Sequence, residues 1–524
     1  MSTNAKAGAL PPLDPSSARV EEQRPPTSRT MGERESKRAW YTWLLPSFGF
    51  DLRSLALMRI VVCAFYLCDL MSNWNLVEAF YSDAGLIPRA FVFDNFTHPV
   101  SVYLAVSTEV GARLLYSLHI LAVVCVMLGY RTRWASLAAY VFVVSLQNRF
   151  PIYPGWGTEI RMLFLIGVFM PWAECASLDA RRAGTAAPAK TLVVSAATFA
   201  WRVQVAVLYV TSGLLKGGAG WKDGTAVELA LNSDSYSNWI GHWFLAQCQH
   251  IPGSLSFLND TVPITEIFAP VLLLSPWPWL QMLGVLILWA MHTCFGLCLS
   301  IGFFGQICSS CMLCFIPGAV WDNWPLSGLF PAGRRLERGD GDNRSTRTVG
   351  QLHPWQSVFL TWVALSMVIS AEEGLPESGN WVTPSARGPW LVLGVEQRWG
   401  MFVPPPFEGG WHIVKGRTAR GEWVDLLHDR REVTESAPEF PSKLYANVHI
   451  LLFFTNYMRV AAPEGIYLRR CALDYYRRAW ERAHPAQADR IRECEVDYYH
   501  RAYEPGKGFG EATKTVLASK QSEN

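Results

Sequence analysis

Charge is scarce in this chain. Asp, Glu, Lys and Arg make up 17% of its 524 residues, against about 25% in an ordinary soluble domain, while half of the residues are hydrophobic. That deficit argues against a conventional soluble enzyme and implies a polytopic membrane protein. Charge of one sign is lacking too: the net charge of +2 leaves no basic footprint, so no nucleic-acid partner is expected. Residues 1–50, rich in Pro, Ser, Glu and Arg, lack the apolar core of a secretory signal and any hydrophobic period, so they read as a disordered tail. A disulfide framework is not evident either. Most of the twelve cysteines, Cys63, Cys125, Cys294 and Cys298 among them, sit inside apolar runs, where a cysteine behaves as a small hydrophobe. Cys308-x-x-Cys311-x-x-Cys314 places three thiols on one helical face but has no fourth ligand, so no metal is expected. No repeat of solenoid or inverted-transporter kind runs through the chain.

What the sequence has is a series of apolar runs, at about 55–72, 113–129, 134–147, 159–172, 191–215, 262–274, 277–301, 303–320 and 355–371. They imply an all-α polytopic membrane helix bundle (51–371) of about eight or nine spans, several shorter than the roughly 20 residues of a straight crossing. Arg34, Lys37, Arg38 and Arg53 precede the first run, so the N-terminus is expected in the cytoplasm. Counting alternate sides then puts Arg131 and Arg133, Arg181 and Arg182, and the Arg334–Arg347 cluster inside as well, and Lys216 near the external face. Trp239, His242 and Trp243 read as interfacial. From about 372 to 505 the composition shifts to a small external α+β domain. Trp411-His-Ile-Val and Glu422-Trp-Val-Asp alternate around Thr418-Ala-Arg-Gly421 as a β-hairpin, while 444–502, with Asp474-Tyr-Tyr-Arg-Arg and Asp497-Tyr-Tyr-His-Arg, reads as polar helices. Residues 448–454 are too short to span, and 506–524 reads as a flexible tail.

The candidate chemistry centres on Tyr209-Val-Thr-Ser-Gly-Leu-Leu-Lys216, where a bilayer-length run ends on a lysine. Two roles are open to Lys216: an anchor that snorkels to headgroups, or a partly desolvated amine that serves as a base. Gly217, Gly218 and Gly220 follow it and permit a sharp turn and a close backbone approach to a ligand. His292 lies in mid-span in Trp289-Ala-Met-His-Thr-Cys, either as a functional group or as a core imidazole. Glu159 and Arg161 either pair as structural glue or line a cavity with Lys216, and Arg59 and Arg202 belong to the same class. Trp399-Gly-Met401 is either core packing or an apolar wall over the site.

Ser145-Leu-Gln-Asn-Arg-Phe-Pro-Ile-Tyr-Pro-Gly, Met170-Pro-Trp-Ala-Glu-Cys-Ala-Ser-Leu-Asp179, Ser212-Gly-Leu-Leu-Lys216 with Trp221-Lys-Asp-Gly, and Phe315-Ile-Pro-Gly-Ala-Val-Trp-Asp322 together resemble the horizontally transferred transmembrane (HTTM) domain. Within that family, Lys216, His292 with Ser300-Ile-Gly-Phe-Phe304, and Trp399-Gly-Met401 point to the vitamin K-dependent gamma-carboxylases. The resemblance implies a neutral Lys216 that deprotonates reduced vitamin K or menaquinol, with O2 and CO2 as co-substrates. It also implies His292 as a second catalytic residue, Glu159, Arg161, Trp399 and Met401 around the substrate, and a glutamate-containing peptide as acceptor in a dry site beside the lipid. The contrasting expectation is a non-enzymatic transporter or a maturation factor for a secreted peptide, in which Lys216 only anchors its helix.

Overall fold

The computed structural model describes residues 47–96, 99–152, 154–184, 191–323, 351–375, 382–403, 408–459 and 462–521. The expected N-terminal tail, but for its last few residues, and the Arg334–Arg347 cluster lie outside the described residues. Each of the nine apolar runs is helical over its centre: α1 (Leu52–Ser72), α2 (Glu109–Leu128), α3 (Thr132–Arg149), α4 (Trp156–Gly167), α5 (Ala196–Leu215), then, after an amphipathic α6 (Trp239–Gln249), α7 (Ser254–Leu273), α8 (Pro278–Cys298), α9 (Phe304–Cys311) and α10 (Pro354–Glu372). Local chemistry sets the boundaries. The Asp51 carboxylate caps α1 by accepting from the Arg53 amide at 2.8 Å, Ser195 and Thr198 form a reciprocal capping box on α5, and Pro278 and Pro354 open α8 and α10 at positions that need no amide hydrogen. Gly129, at φ +66°, ends α2.

Five of these helices, α1, α2, α5, α8 and α10, are long and apolar enough to cross a membrane by length and composition. Of the other four, α4 and α9 have 12 and 8 residues. α5 is the axis of the bundle. It packs on α4, α7 and α10 and buries Trp201, Gln204 and Tyr209. The outer helices instead expose apolar rows, Leu114, Leu118 and Leu121 on α2 and Leu286, Trp289 and Leu297 on α8, which water would not tolerate as a continuous belt but lipid would. α7 carries Pro263 and Pro270 inside its length.

The connections gather at two ends of the bundle. At one, Asp179 accepts from Thr132, Arg53 reaches Asp322 at 2.8 Å, and Phe50–Asp51 pairs with Leu192–Val193. At the other, Asn447 donates to Asn73 at 2.6 Å, Arg482 grips Glu78, and Arg501 meets Asp234 at 2.8 Å. This second end carries the C-terminal region: β1 (Glu408–Thr418), β2 (Trp423–Asp425), α11 (Val448–Phe453), α12 (Pro463–Ala483), β3 (Ile491–Glu504), β4 (Gly508–Phe509) and β5 (Thr513–Gln521). The hairpin of β1 and β2 forms as expected, with Gly416 opposite Val424. β3 is central, antiparallel to both β1 and β5.

Two expectations fail here. Asp497-Tyr-Tyr-His-Arg lies on β3 and not on a helix, because Cys494, Val496 and Tyr498 alternate inward and both edges of the strand find partners. The supposed tail after 505 includes β5, which ladders along β3 from Glu493 to His500. The sheet belongs to the same compact unit as the helices.

Candidate functional site

A cavity of about 920 Å3 opens at the sheet-bearing end of the bundle, within the size range of small-molecule sites. Its wall includes Gly155, Trp156 and Thr158 at the start of α4; Lys216 at the end of α5 and Trp221 beyond it; Leu258, Thr261, Val262, Thr265 and Glu266 on α7; Ile287, Met291, Cys294, Phe295 and Cys298 on α8; Phe304 on α9; and Met401 with Phe402. Val448 and Leu452 of α11 complete it, so the short apolar segment that cannot span serves as a wall. The surface is mostly hydrocarbon and aromatic, which favours an apolar occupant.

Lys216 turns inward. Only 7% of it is exposed, and its Nζ donates to Glu266 Oε2 at 2.6 Å, to Ser212 Oγ at 2.7 Å and to the Ser212 carbonyl at 3.3 Å. Three donors meet three acceptors, so the ammonium is fully satisfied without water. The Trp221 ring stands 5.6 Å away and shields it further, held in place by its Nε1, which donates to the Phe402 carbonyl at 3.0 Å. This geometry overturns the snorkelling anchor, since a headgroup anchor keeps its charge in water. The glycines do less than expected: Gly217 and Gly218 border open space, and it is Gly220 and Gly224, both at φ +75°, that the turn requires. The Asn259 side chain receives the Ala226 amide at 3.1 Å and donates to the Trp221 carbonyl, pinning the turn to α7.

Glu266 was not among the residues the sequence singled out. Its signal was present: a lone carboxylate in the apolar run 262–274, at membrane depth by that reading. A carboxylate and an amine this close form one acid–base couple. The proton between them needs to move only a fraction of an ångström to convert the ionic pair into a neutral acid and a neutral amine, and a dry surrounding narrows the gap between the two forms.

The other proposed residues divide. Met401 lines the cavity, whereas Trp399 does not; it is 1% exposed and donates from Nε1 to Gln397 Oε1 at 2.8 Å. Glu159 and Arg161 also do not line this cavity. Glu159 Oε2 accepts from Gln204 at 3.0 Å, Gln204 also reaches Gln397, and Arg161 donates to Gln147 at 2.7 Å and to the Glu396 carbonyl at 3.1 Å. These polar groups tie α3, α4 and α5 to the 396–399 segment. His292 is likewise set behind the wall formed by Met291, Phe295 and Phe304. Its Nε2 and the Tyr209 hydroxyl are 2.6 Å apart, the ring meets Phe304 edge-on, and Nδ1 has no hydrogen-bond partner among the described residues. Tyr209 lies two turns before Lys216 on α5, so His292 bonds to that helix ahead of the lysine and not to the lysine itself.

Arg59 and Arg202 are structural. Arg59 donates to the carbonyls of Val126 and Ala176, and Arg202 to those of Leu273 and Gly49, between the faces of Phe50 and Phe315. Cys308, Cys311 and Cys314 are buried, and no group of metal-ligating side chains occurs among the described residues. Comparison with family models, curated proteins and solved structures gives no match for this chain.

Proposed function

We propose that this chain is an integral-membrane enzyme resembling the HTTM proteins and, within them, the vitamin K-dependent gamma-carboxylases. It oxidises a lipid quinol, reduced vitamin K or menaquinol, with O2, and uses the base so formed to carboxylate a glutamate side chain of a peptide with CO2. The observation that carries this reading is the Lys216–Glu266 couple in the wall of a large apolar cavity. A quinol hydroxyl is a weak acid, and removing its proton in a dry site needs a base desolvated enough to compete and a counter-charge to receive the result. The couple supplies both. Once the pair has passed its proton to Glu266, the Lys216 amine takes the quinol proton, and the ammonium then faces the quinolate. Met401, Phe402 and Trp221 exclude water around it. His292 acts here as a positioning residue, through Tyr209.

On this reading the nine helical runs cross or re-enter the bilayer, the N-terminus is cytoplasmic, and the sheet-bearing end faces the outside, where a peptide would arrive. A transporter would need a polar path onward from the cavity. The buried charges beyond it, Glu159, Arg59 and Arg202, are instead engaged by partners in the bundle, which favours the enzyme.

The test is oxygen consumption by purified protein in lipid nanodiscs given reduced vitamin K or menaquinol. Wild type is expected to consume oxygen and Lys216→Met to fall to the background rate. Equal uptake by both would remove Lys216 from the chemistry, and no uptake with any quinol from folded protein would leave the transporter or maturation-factor reading.

A further inference from the structure

Cys294 and Cys298 both line the cavity, with their sulfurs 3.9 Å apart one turn from each other on α8. All twelve cysteines of the protein are free thiols. Many of the others are packed in the core and reach no open space. This pair differs: both thiols face the volume that receives the proposed substrate.

The position on the helix also matters. Residues four apart on an α-helix hold their Cβ atoms about 5–6 Å apart, whereas a relaxed disulfide wants about 3.8 Å. Closing a bond between them therefore bends the turn, and a strained disulfide is an oxidising one, easily reduced again. The turn is placed to bend. Cys298 is the last residue of α8, Leu299 after it is already extended, and Gly296 stands between the two cysteines. The close approach of α8 and α9 is set by Gly305, where a Cβ would meet the His292 carbonyl at 2.6 Å, whereas a Cβ at Gly296 would make only ordinary contacts. No helical turn follows this last one, which is tied instead to the loop before α6, where Asn238 Nδ2 donates to the Leu297 carbonyl at 3.0 Å and Ser237 bridges Leu299.

We propose that Cys294 and Cys298 are a redox dithiol that exchanges electrons with a quinone in the cavity. This rests on the quinol reading above. Loading from the lipid brings a quinone to the two thiols. In the exchange two S–H bonds break and one S–S bond forms; the two electrons and two protons pass to the quinone, which leaves as quinol. A soluble dithiol reductant restores the pair. The protein would thereby regenerate, within one cavity, the reduced form of the molecule its lysine consumes.

The experiment is anaerobic incubation of full-length protein in nanodiscs with menadione or menaquinone, followed by maleimide labelling and peptide mapping. The expected result is loss of label at Cys294 and Cys298 together, a mass two hydrogens lighter for the peptide that holds both, and about one quinol formed per protein. Cys294→Ser and Cys298→Ser should each abolish quinol formation while keeping the thermal unfolding profile of wild type. Quenching of tryptophan fluorescence by the quinone reports binding separately. Binding with both thiols still labelled would overturn the dithiol and leave the quinol site standing; no binding at all would overturn both. Quinol formation undiminished in the two serine variants would also overturn it.

Discussion

Lys216 in the bundle and Lys415 in the sheet both lie against carboxylates, but their surroundings differ. Lys415 reaches Glu495 and Asp497, each at 2.9 Å, and Asp497, with no exposed surface, also holds Lys514 at 3.0 Å, which in turn contacts Glu435 at 3.1 Å. Charge there is shared around a closed network: desolvation works against the Lys415 ammonium, but the Asp497 and Glu495 carboxylates hold its pKa above the ordinary range. Lys216 has one carboxylate, one hydroxyl and one carbonyl, all at the edge of a cavity. The contrast separates a cluster that knits three strands from a single pair set in the wall of a cavity.

Breaking the bundle pair should have the largest effect. Lys216→Met or Glu266→Leu alone leaves a buried charge without its partner and should cost about 3–5 kcal/mol of stability, while the double variant recovers most of it. Thermal unfolding in detergent checks the stability, and all three should lack quinol-dependent oxygen uptake. A double variant that stays as unstable as the singles would show that the pair is not isolated. Asp497→Asn should cost about 2–3 kcal/mol, because it removes a buried carboxylate from two ion pairs, yet leave kcat and KM for quinol unchanged. A changed KM would join the two clusters functionally.

The cavity wall sharpens the comparison further. Met401→Trp should raise the quinol KM about tenfold, equivalent to about 1.4 kcal/mol, by filling space, which steady-state kinetics will read. The sheet region offers a pH test. His412 is 1% exposed, its Nδ1 lies 2.8 Å from the Tyr445 hydroxyl, and burial pulls its pKa down to about 3. Because the folded value lies below the unfolded one of about 6.5, this contribution to stability is complete above pH 6.5. It is lost at about 1.4 kcal/mol per unit as the pH falls from there toward 3. His412→Asn should flatten that slope in unfolding measured from pH 7 to 5. The smallest effect is expected for Trp399→Phe, about 1 kcal/mol from one hydrogen bond, with KM unmoved.

How much of this was legible in the residues can be seen from two nearly identical words. Asp474-Tyr-Tyr-Arg-Arg and Asp497-Tyr-Tyr-His-Arg look alike, yet the first is helix and the second is strand. The first sits among Leu468, Ala472, Tyr476 and Trp480 at helical spacing; the second is decided by two neighbours in the sheet, one of them more than eighty residues earlier in the chain. The nine helical runs were readable because hydrophobicity is a local property. Lys216 and Met401, each of which closes a distinctive segment, both line the cavity. The partner of Lys216 was not readable, since Glu266 is fifty residues away and nothing local marks it apart from its charge. Glu159 and Arg161 showed the converse failure: charge in an apolar run identifies a buried polar group but not the direction in which it faces.

The two prolines of α7 bear on how that carboxylate is mounted. Pro270 has no amide hydrogen to offer the carbonyl four residues back, and that residue is Glu266; Pro263 leaves the carbonyl of Asn259, which pins the Trp221 turn, in the same condition. The beam that carries the acid is therefore notched beside the acid itself. A load applied there, such as the change in charge when the proton moves, can be taken up by flexing of the beam rather than by admitting water, and the flexing reaches the turn that holds Trp221 over the lysine.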